Sequence, residues 1–260
     1  MKNIAVITGA SGGIGRCFTQ TLSSHRSDYD EVWVIARSRE KLESLKGSIP
    51  FDVKVVPLDL SRDESLEEYK ALLEAEKPRV SLLVNCSGYG KFDATEKLSF
   101  GENIGMIDLN CRALTALTYL SLPYMDRGCE ILNVASVAAF QPIPFVGVYG
   151  ATKAYVLSFS RALGRELKTR GIRVFAVCPF WTRTDFFDRA VDKTKDAVVK
   201  KYVAMYEPSY IVRYTWNAMK NKRRDYCIPG FRAKLQVLAV KLLPHRLVMR
   251  VWEMQQGLNK

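Results

Sequence analysis

The sequence predicts an α/β fold: a doubly wound parallel sheet with helices on both faces, plus a C-terminal helical extension. Three observations predict it. Short apolar runs rich in β-branched residues alternate with amphipathic stretches of helical period, as expected for a sheet buried on both faces. A glycine-rich turn directly follows the first apolar run. The hydrophobic fraction of 48% and the charged fraction of 25% are ordinary for a globular chain, and 260 residues suit one domain of this class.

The elements follow in order. Residues 2–8 read as a buried strand, and the glycine turn opens a helix over 13–24. Residues 31–36 form a second strand and 39–46 a helix. A third strand covers 53–57, then a helix over 63–75 that starts with acidic residues, as the helix dipole favours. Residues 80–84 make a fourth strand, and 104–122 a long helix stopped by Pro123. The fifth strand is 130–134, followed by a helix over 149–170 with Gly171 as its stop and a sixth strand over 172–178. No internal repeat appears. The whole chain reads as one domain: residues 1–184 a core, 185–230 a lid over the substrate, and 231–260 a basic amphipathic helical tail.

The first turn reads Thr8-Gly9-Ala-Ser11-Gly-Gly13-Ile14-Gly15. Gly9 can turn tightly, Gly13 lets the backbone approach a pyrophosphate, and a helix N-terminus presents free N–H groups to it. Strand, turn and helix in this order indicate a Rossmann-like dinucleotide site, with Thr8, Gly9, Ser11, Gly13, Ile14 and Gly15 as candidate contacts. The second strand ends in Ala36-Arg37, where an acidic side chain would select the ribose 2′-hydroxyl of NAD. Ala36 cannot do so. Arg37 is placed to pair with a 2′-phosphate, unless it merely solvates a loop, and NADP is the expected cofactor. Asp59 is placed for the adenine edge. Asn85 and Gly88 end the fourth strand, to serve the cofactor side or simply to build a turn.

Tyr149 and Lys153 lie one helical turn apart on one face. A phenol has a reference pKa of about 10, and an ammonium within about 4–6 Å can lower it by roughly 1–3 units. The pair can act as an acid/base, with Ser136 hydrogen-bonding the same substrate oxygen. A lone Tyr-x-x-x-Lys pair arises readily by chance in a chain with 12 tyrosines, so its weight comes from the glycine turn upstream. Asn110 falls mid-helix, where an amide is a mediocre helix former, and a water-holding role suits it.

Together these residues resemble the short-chain dehydrogenase/reductase family over residues 2–184. The resemblance implies a tetrad of Asn110, Ser136, Tyr149 and Lys153. Tyr149 would be the acid/base, Lys153 would also hold the nicotinamide ribose, and Asn110 would position a water. It adds Pro179, Thr182 and Thr184 to the cofactor contacts. It implies an NADP(H)-dependent oxidoreductase interconverting a hydrophobic ketone and its secondary alcohol: hydroxysteroid-like, a 3-oxoacyl thioester, or another bulky carbonyl. The alternative is a cofactor-binding regulatory or interaction protein with little turnover. Where the family has Asn-Asn-Ala-Gly this chain has Asn85-Cys-Ser-Gly88, and Phe180-Trp181 replaces the glycine expected after Pro179.

Phe140, Ile143, Phe145 and Val146, then Phe180, Trp181, Phe186 and Phe187, with Tyr202, Met205 and Tyr206 beyond, are candidates for an apolar substrate pocket. They could equally pack a lid or a dimer contact. The six cysteines show no metal spacing and read as reduced core thiols. His25 and His245 read as solvated, and no metal is expected. The net charge of +12 concentrates beyond Arg189. Apolar residues at helical spacing, Phe231, Leu235, Leu238 and Leu242, then Leu247, Val251, Met254 and Leu258, are broken at Pro244. Such basic helices dock on their own fold or a partner subunit, or rest weakly on an anionic membrane; docking on the fold is the expectation. No apolar run reaches the length of about 20 residues that spans a bilayer, no signal peptide precedes the first strand, and no nucleic-acid module is present. A cytoplasmic protein and possible homo-oligomer, with a small hydrophobic carbonyl or alcohol as its partner, is expected.

Overall fold

A computed structural model describes residues 1–191 and 197–258. Seven strands build one parallel sheet: β1 Asn3–Thr8, β2 Glu31–Ile35, β3 Asp52–Val56, β4 Arg79–Asn85, β5 Glu130–Val134, β6 Arg173–Val177 and β7 Tyr226–Cys227. Their order is β3-β2-β1-β4-β5-β6-β7. The helices are α1 Gly13–Gln20, α2 Arg39–Glu43, α3 Asp63–Glu76, α4 Phe100–Ile107, α5 Leu114–Ser121, α6 Gly147–Glu166, α7 Phe186–Ala190, α8 Pro208–Met219, α9 Phe231–Leu242 and α10 His245–Gln256.

Strand side chains alternate between two cores, as the twofold period of a strand requires. Ala5, Ile7, Val32, Val34 and Phe175 face one way, onto Phe18 of α1 and Ile211, Val212 and Trp216 of α8. Ile4, Val6, Trp33, Ile35 and Ile131 face the other, onto Tyr69 and Leu73 of α3, Leu117 of α5 and Leu163 of α6.

Several elements depart from the sequence expectation. The single helix expected over 104–122 starts earlier, at α4, because Ser99 and Glu102 close a reciprocal capping box. It is then interrupted by a π turn over Asp108–Ala113 before α5 resumes. The helix expected over 13–24 ends at Gln20 and tightens into a 3-10 turn, Leu22–Ser24. The stretch 185–230, expected as a lid, contributes to the body of the fold. Its α8 packs into the core against α1, and β7 extends the sheet beside β6. Residues 192–196 of that stretch, and 259–260 of the tail, lie outside the described residues.

His25 is not solvated. Its ring stacks on Trp216 at 4.4 Å, and its Nε2 lies 2.6 Å from Glu130 Oε2. Arg173 and Lys222 approach the same carboxylate at 3.2 and 3.4 Å. Burial would raise the Glu130 carboxyl, but the bond to His25 and the nearby charges of Lys222 and Arg173 outweigh it and hold it at about 2. This network closes the end of the sheet opposite the strands' carboxyl ends.

Candidate active site

The parallel strands deliver their carboxyl ends to one side, where a cleft of about 1040 Å³ opens. It lies across the point between β1 and β4 where strand order reverses, the place such sheets leave a crevice.

One end of the cleft is backbone. Gly9 adopts φ +68°, and a Cβ there would sit 3.0 Å from the carbonyl oxygen of Cys86. A Cβ on Gly15 would overlap the Gly9 carbonyl, so α1 begins pressed against the turn. Gly12, at the N-cap, has no side chain to bond the first helical N–H groups, and Ser11, Gly13, Ile14 and Gly15 line the cleft there. This is a cradle for an anionic group. Thr8 and Asn85 stand behind it rather than in it. The Thr8 hydroxyl accepts 2.9 Å bonds from the N–H groups of Cys86 and Ser87. The Asn85 amide donates to Asn133 Oδ1 at 2.9 Å and to Thr118 Oγ1 at 3.1 Å. Both position the loops that touch the cleft.

Beyond α1, exposed Arg37 lines the wall with Lys41, its Nη1 4.0 Å from Asp59 Oδ2. Burial would raise the Asp59 carboxyl, but the hydroxyl and N–H of Ser61 and the Arg37 charge hold it below the usual carboxylate range.

At the centre, Ser136, Tyr149 and Lys153 line the cleft, with Gly88 beside Lys153 and Pro179, Thr182 and Thr184 closing it from the loop after β6. The Thr184 methyl would lie 3.1 Å from a Cβ on Gly13, so this loop seals against the glycine turn. Ser136 N-caps a short 3-10 turn, and its hydroxyl donates to the Pro179 carbonyl at 3.5 Å. Lys153 is buried, donates to the Val134 carbonyl at 2.9 Å, and has its ammonium 5.7 Å from the Tyr149 ring centroid. Burial lowers the Lys153 ammonium to about 8. The phenol moves against expectation: burial pushes Tyr149 up to about 12, with only the hydroxyl of Ser136 drawing it back. Desolvation outweighs that hydrogen bond here.

Asn110 sits in the π turn, buried beneath the cleft rather than lining it. Its amide donates to the Tyr89 carbonyl at 2.9 Å and to Thr152 Oγ1 at 3.0 Å, and its Oδ1 accepts from Tyr89 N–H at 3.0 Å. All three bonds hold the β4 loop against α6.

The other end of the cleft is aromatic. Ile143, Val146, Phe180, Trp181, Phe186 and Phe187 line it as expected. Phe140 does not; it packs 6.0 Å from Tyr226 behind the wall. Tyr202 supports Trp181 edge-on at 5.2 Å, and Tyr206 stacks on Tyr210. Sequence reading missed two members. Phe92 meets Tyr149 at 5.8 Å and Trp181 at 6.1 Å, from a loop without periodicity. Trp252 of α10 stacks 6.5 Å from Trp181 and donates to the Pro144 carbonyl at 3.0 Å. Its signal was a stripe of Val248, Trp252 and Gln256, four residues apart, beside the louder leucine stripe. Gln256 accepts from the N–H groups of Lys200 and Lys201 at 2.9 and 3.0 Å and so fastens α10 over the cleft.

A family model of the short chain dehydrogenases matches residues 3–195, and the chain belongs to that family. Over 219 residues it is 34% identical to 17-beta-hydroxysteroid dehydrogenase type 3 of Mus musculus, covering 79% of this chain and 70% of that one. It is 35% identical to very-long-chain 3-oxoacyl-CoA reductase-B of Danio rerio, covering 69% of this chain and 60% of the relative. A solved short-chain dehydrogenase from Sphingobium yanoikuyae, in complex with NADPH, superposes with a TM-score of 0.76 at 28% identity, over 91% of this chain and 92% of that one. The fold, the family and its oxidoreductase chemistry are thereby settled.

Proposed function

We propose that the chain is an NADP(H)-dependent oxidoreductase that interconverts a bulky hydrophobic ketone and its secondary alcohol, with Tyr149 as the acid/base. The observation that carries the reading is the meeting of Ser136, Tyr149 and Lys153 in one cleft, between a side-chain-free anion cradle and an aromatic pocket. The glycine turn fits a pyrophosphate, since Cβ atoms at Gly9 and Gly15 would obstruct the backbone that forms it. Arg37, with Lys41 beside it and no carboxylate at Ala36, favours a 2′-phosphate; the NADPH complex of the Sphingobium yanoikuyae protein agrees with this choice. Pro179, Thr182 and Thr184 would hold the nicotinamide side, and Asp59 the adenine side.

Bound there, the nicotinamide supplies or takes up the hydride. The chain's own part is the proton. In reduction the neutral phenol, which burial keeps protonated, donates its proton to the substrate oxygen while the Ser136 hydroxyl hydrogen-bonds that oxygen; oxidation runs the same path in reverse. Lys153 holds a positive charge 5.7 Å from the phenol ring and would hold the ribose hydroxyls of the bound cofactor. Asn110, its amide fully engaged, positions the β4 loop against α6. The aromatic end excludes water and accepts a large apolar body, which suits steroid ketones and long 3-oxoacyl chains. NADPH oxidation across a panel of bulky ketones tests the proposal. Turnover abolished by Tyr149→Phe supports it. Tight NADPH binding with no turnover across the panel would replace it with the regulatory reading.

A further inference from the structure

The C-terminal helices dock on the fold, but not through the residues that the spacing singled out. In α9 the buried positions are Ala233, Val237 and Val240; in α10 they are Val248, Trp252 and Gln256. The louder stripe points outward. Phe231 is 79% exposed and Leu242 76%, with Leu235 and Leu238 also open to solvent. In α10, Leu247, Val251 and Met254 are exposed likewise. At 100° per residue these outer residues fall within one narrow sector of each helix, and in α9 that sector lies opposite the buried one. Each helix therefore carries two apolar faces, one used by the fold and one left bare.

The polar residues around the bare faces are of one sign. Arg232 lies on one flank of the α9 stripe and Arg246 and Arg250 beside the α10 stripe, all exposed, while Lys234 and Lys241 on the other α9 flank lay their ammonium groups over Tyr214 and Tyr226. Residues 231–258 contain a single acid, Glu253. Among the described residues Arg246 and Arg250 have no ion pair. An apolar helix face rimmed by Lys and Arg matches a bilayer surface, with its apolar interior beneath anionic headgroups. A second copy of the chain matches less well, because a twofold contact sets each patch against itself and brings arginine against arginine. The patch also adjoins the cleft: Gln236 of α9 and Trp252, Gln255 and Gln256 of α10 line it.

We propose that the outer faces of α9 and α10 form a peripheral docking surface for anionic lipid bilayers, at the mouth of the cleft. No helix among the described residues is long and apolar enough to cross a membrane, so adsorption is interfacial and reversible. It does not depend on the catalytic reading.

The experiment is co-sedimentation of the full chain with vesicles of phosphatidylcholine alone or mixed with phosphatidylglycerol, at low and high salt. The parent should bind the anionic vesicles, release them at high salt, and bind neutral ones far less. Arg246→Gln with Arg250→Gln should weaken binding by about 30-fold, each charge near such a surface being worth about fivefold. Leu235→Gln with Leu238→Gln should abolish it at either salt. All four residues are exposed, and an unchanged thermal melt and NADPH affinity certify that each variant is folded. Absence of binding by the parent overturns the proposal, as does undiminished binding by both variants. So does a parent that is dimeric by light scattering, becomes monomeric with the leucine variant and ignores vesicles; the bare face then belongs to a second copy.

Discussion

The two ends of the cleft are built in opposite ways. The nucleotide end is made of backbone: a turn, a helix N-terminus and glycines whose missing side chains leave room, all within eight consecutive residues from Thr8 to Gly15. The substrate end is made of side chains gathered from afar: Phe92, Tyr149, Trp181, Phe186 and Trp252 meet ring to ring across 160 residues of sequence. Backbone geometry recognises what every dinucleotide shares, whereas assembled side chains recognise what is particular to one substrate. The first end is therefore stereotyped and local, and the second variable and long-range.

The centre, where both ends meet, should yield the largest effect. Tyr149→Phe keeps the ring that packs on Phe92 and removes only the proton carrier, so kcat should fall by about 10²–10⁴-fold while the Kd for NADPH stays unchanged. Stopped-flow turnover with fluorescence titration separates the two; a variant with more than about a tenth of parental turnover, outside that range, would break the proposed role. At the nucleotide end, Arg37→Ala removes a charge-assisted partner worth about 1.5–3 kcal/mol. It should cost roughly 10- to 150-fold in NADPH affinity and little in NADH affinity, and equal affinity of the parent for both would exclude the 2′-phosphate assignment.

At the substrate end, Trp252→Ala strips one wall of the pocket and should raise KM for a bulky ketone by about tenfold, near the low end of what burying a large side chain contributes, with the Kd for NADPH unaffected. A parallel loss of NADPH affinity would show that the two ends are not independent. The smallest effect on the cleft is expected from the far end of the sheet. Glu130→Gln should leave kcat/KM within about twofold, because its partners His25, Arg173 and Lys222 support packing alone. Its effect is on stability. The Glu130 carboxyl is held at about 2, below the ordinary 4.5, so it stabilises the fold fully above pH 4.5 and loses that contribution as pH falls towards 2. Urea titrations across that window should show the parent losing stability on the order of 3 kcal/mol and the variant much less; parallel curves would assign the acid sensitivity elsewhere.

How far the sequence was legible follows the same division. Strand β5 was readable to the residue, because five fully buried apolar and polar positions stand between clear breaks. β7 was not, since two residues carry no period, and they pair only because β6 offers an open edge. The π turn at Asn110 interrupts a pattern that reads as continuous helix, and the bonds from Asn110 to Tyr89 and Thr152 that accompany it lie 21 and 42 residues away. His25 looked like a surface residue until Glu130, 105 residues distant, closed over it.

The sequence by itself determined the layered α/β class, the glycine turn, and the shared helix face of Tyr149 and Lys153, because periodicity, turn chemistry and one helical turn of spacing act over a few neighbouring residues. Only the tertiary structure decided which apolar stripe of each tail helix faces inward, that Thr8, Asn85 and Asn110 stand behind the cleft rather than in it, and that burial raises the Tyr149 phenol where spacing alone had Lys153 lower it. Those outcomes depend on which distant surfaces exclude water from a residue. Helical spacing fixes which side chains share a face, but only the packed fold fixes what that face meets.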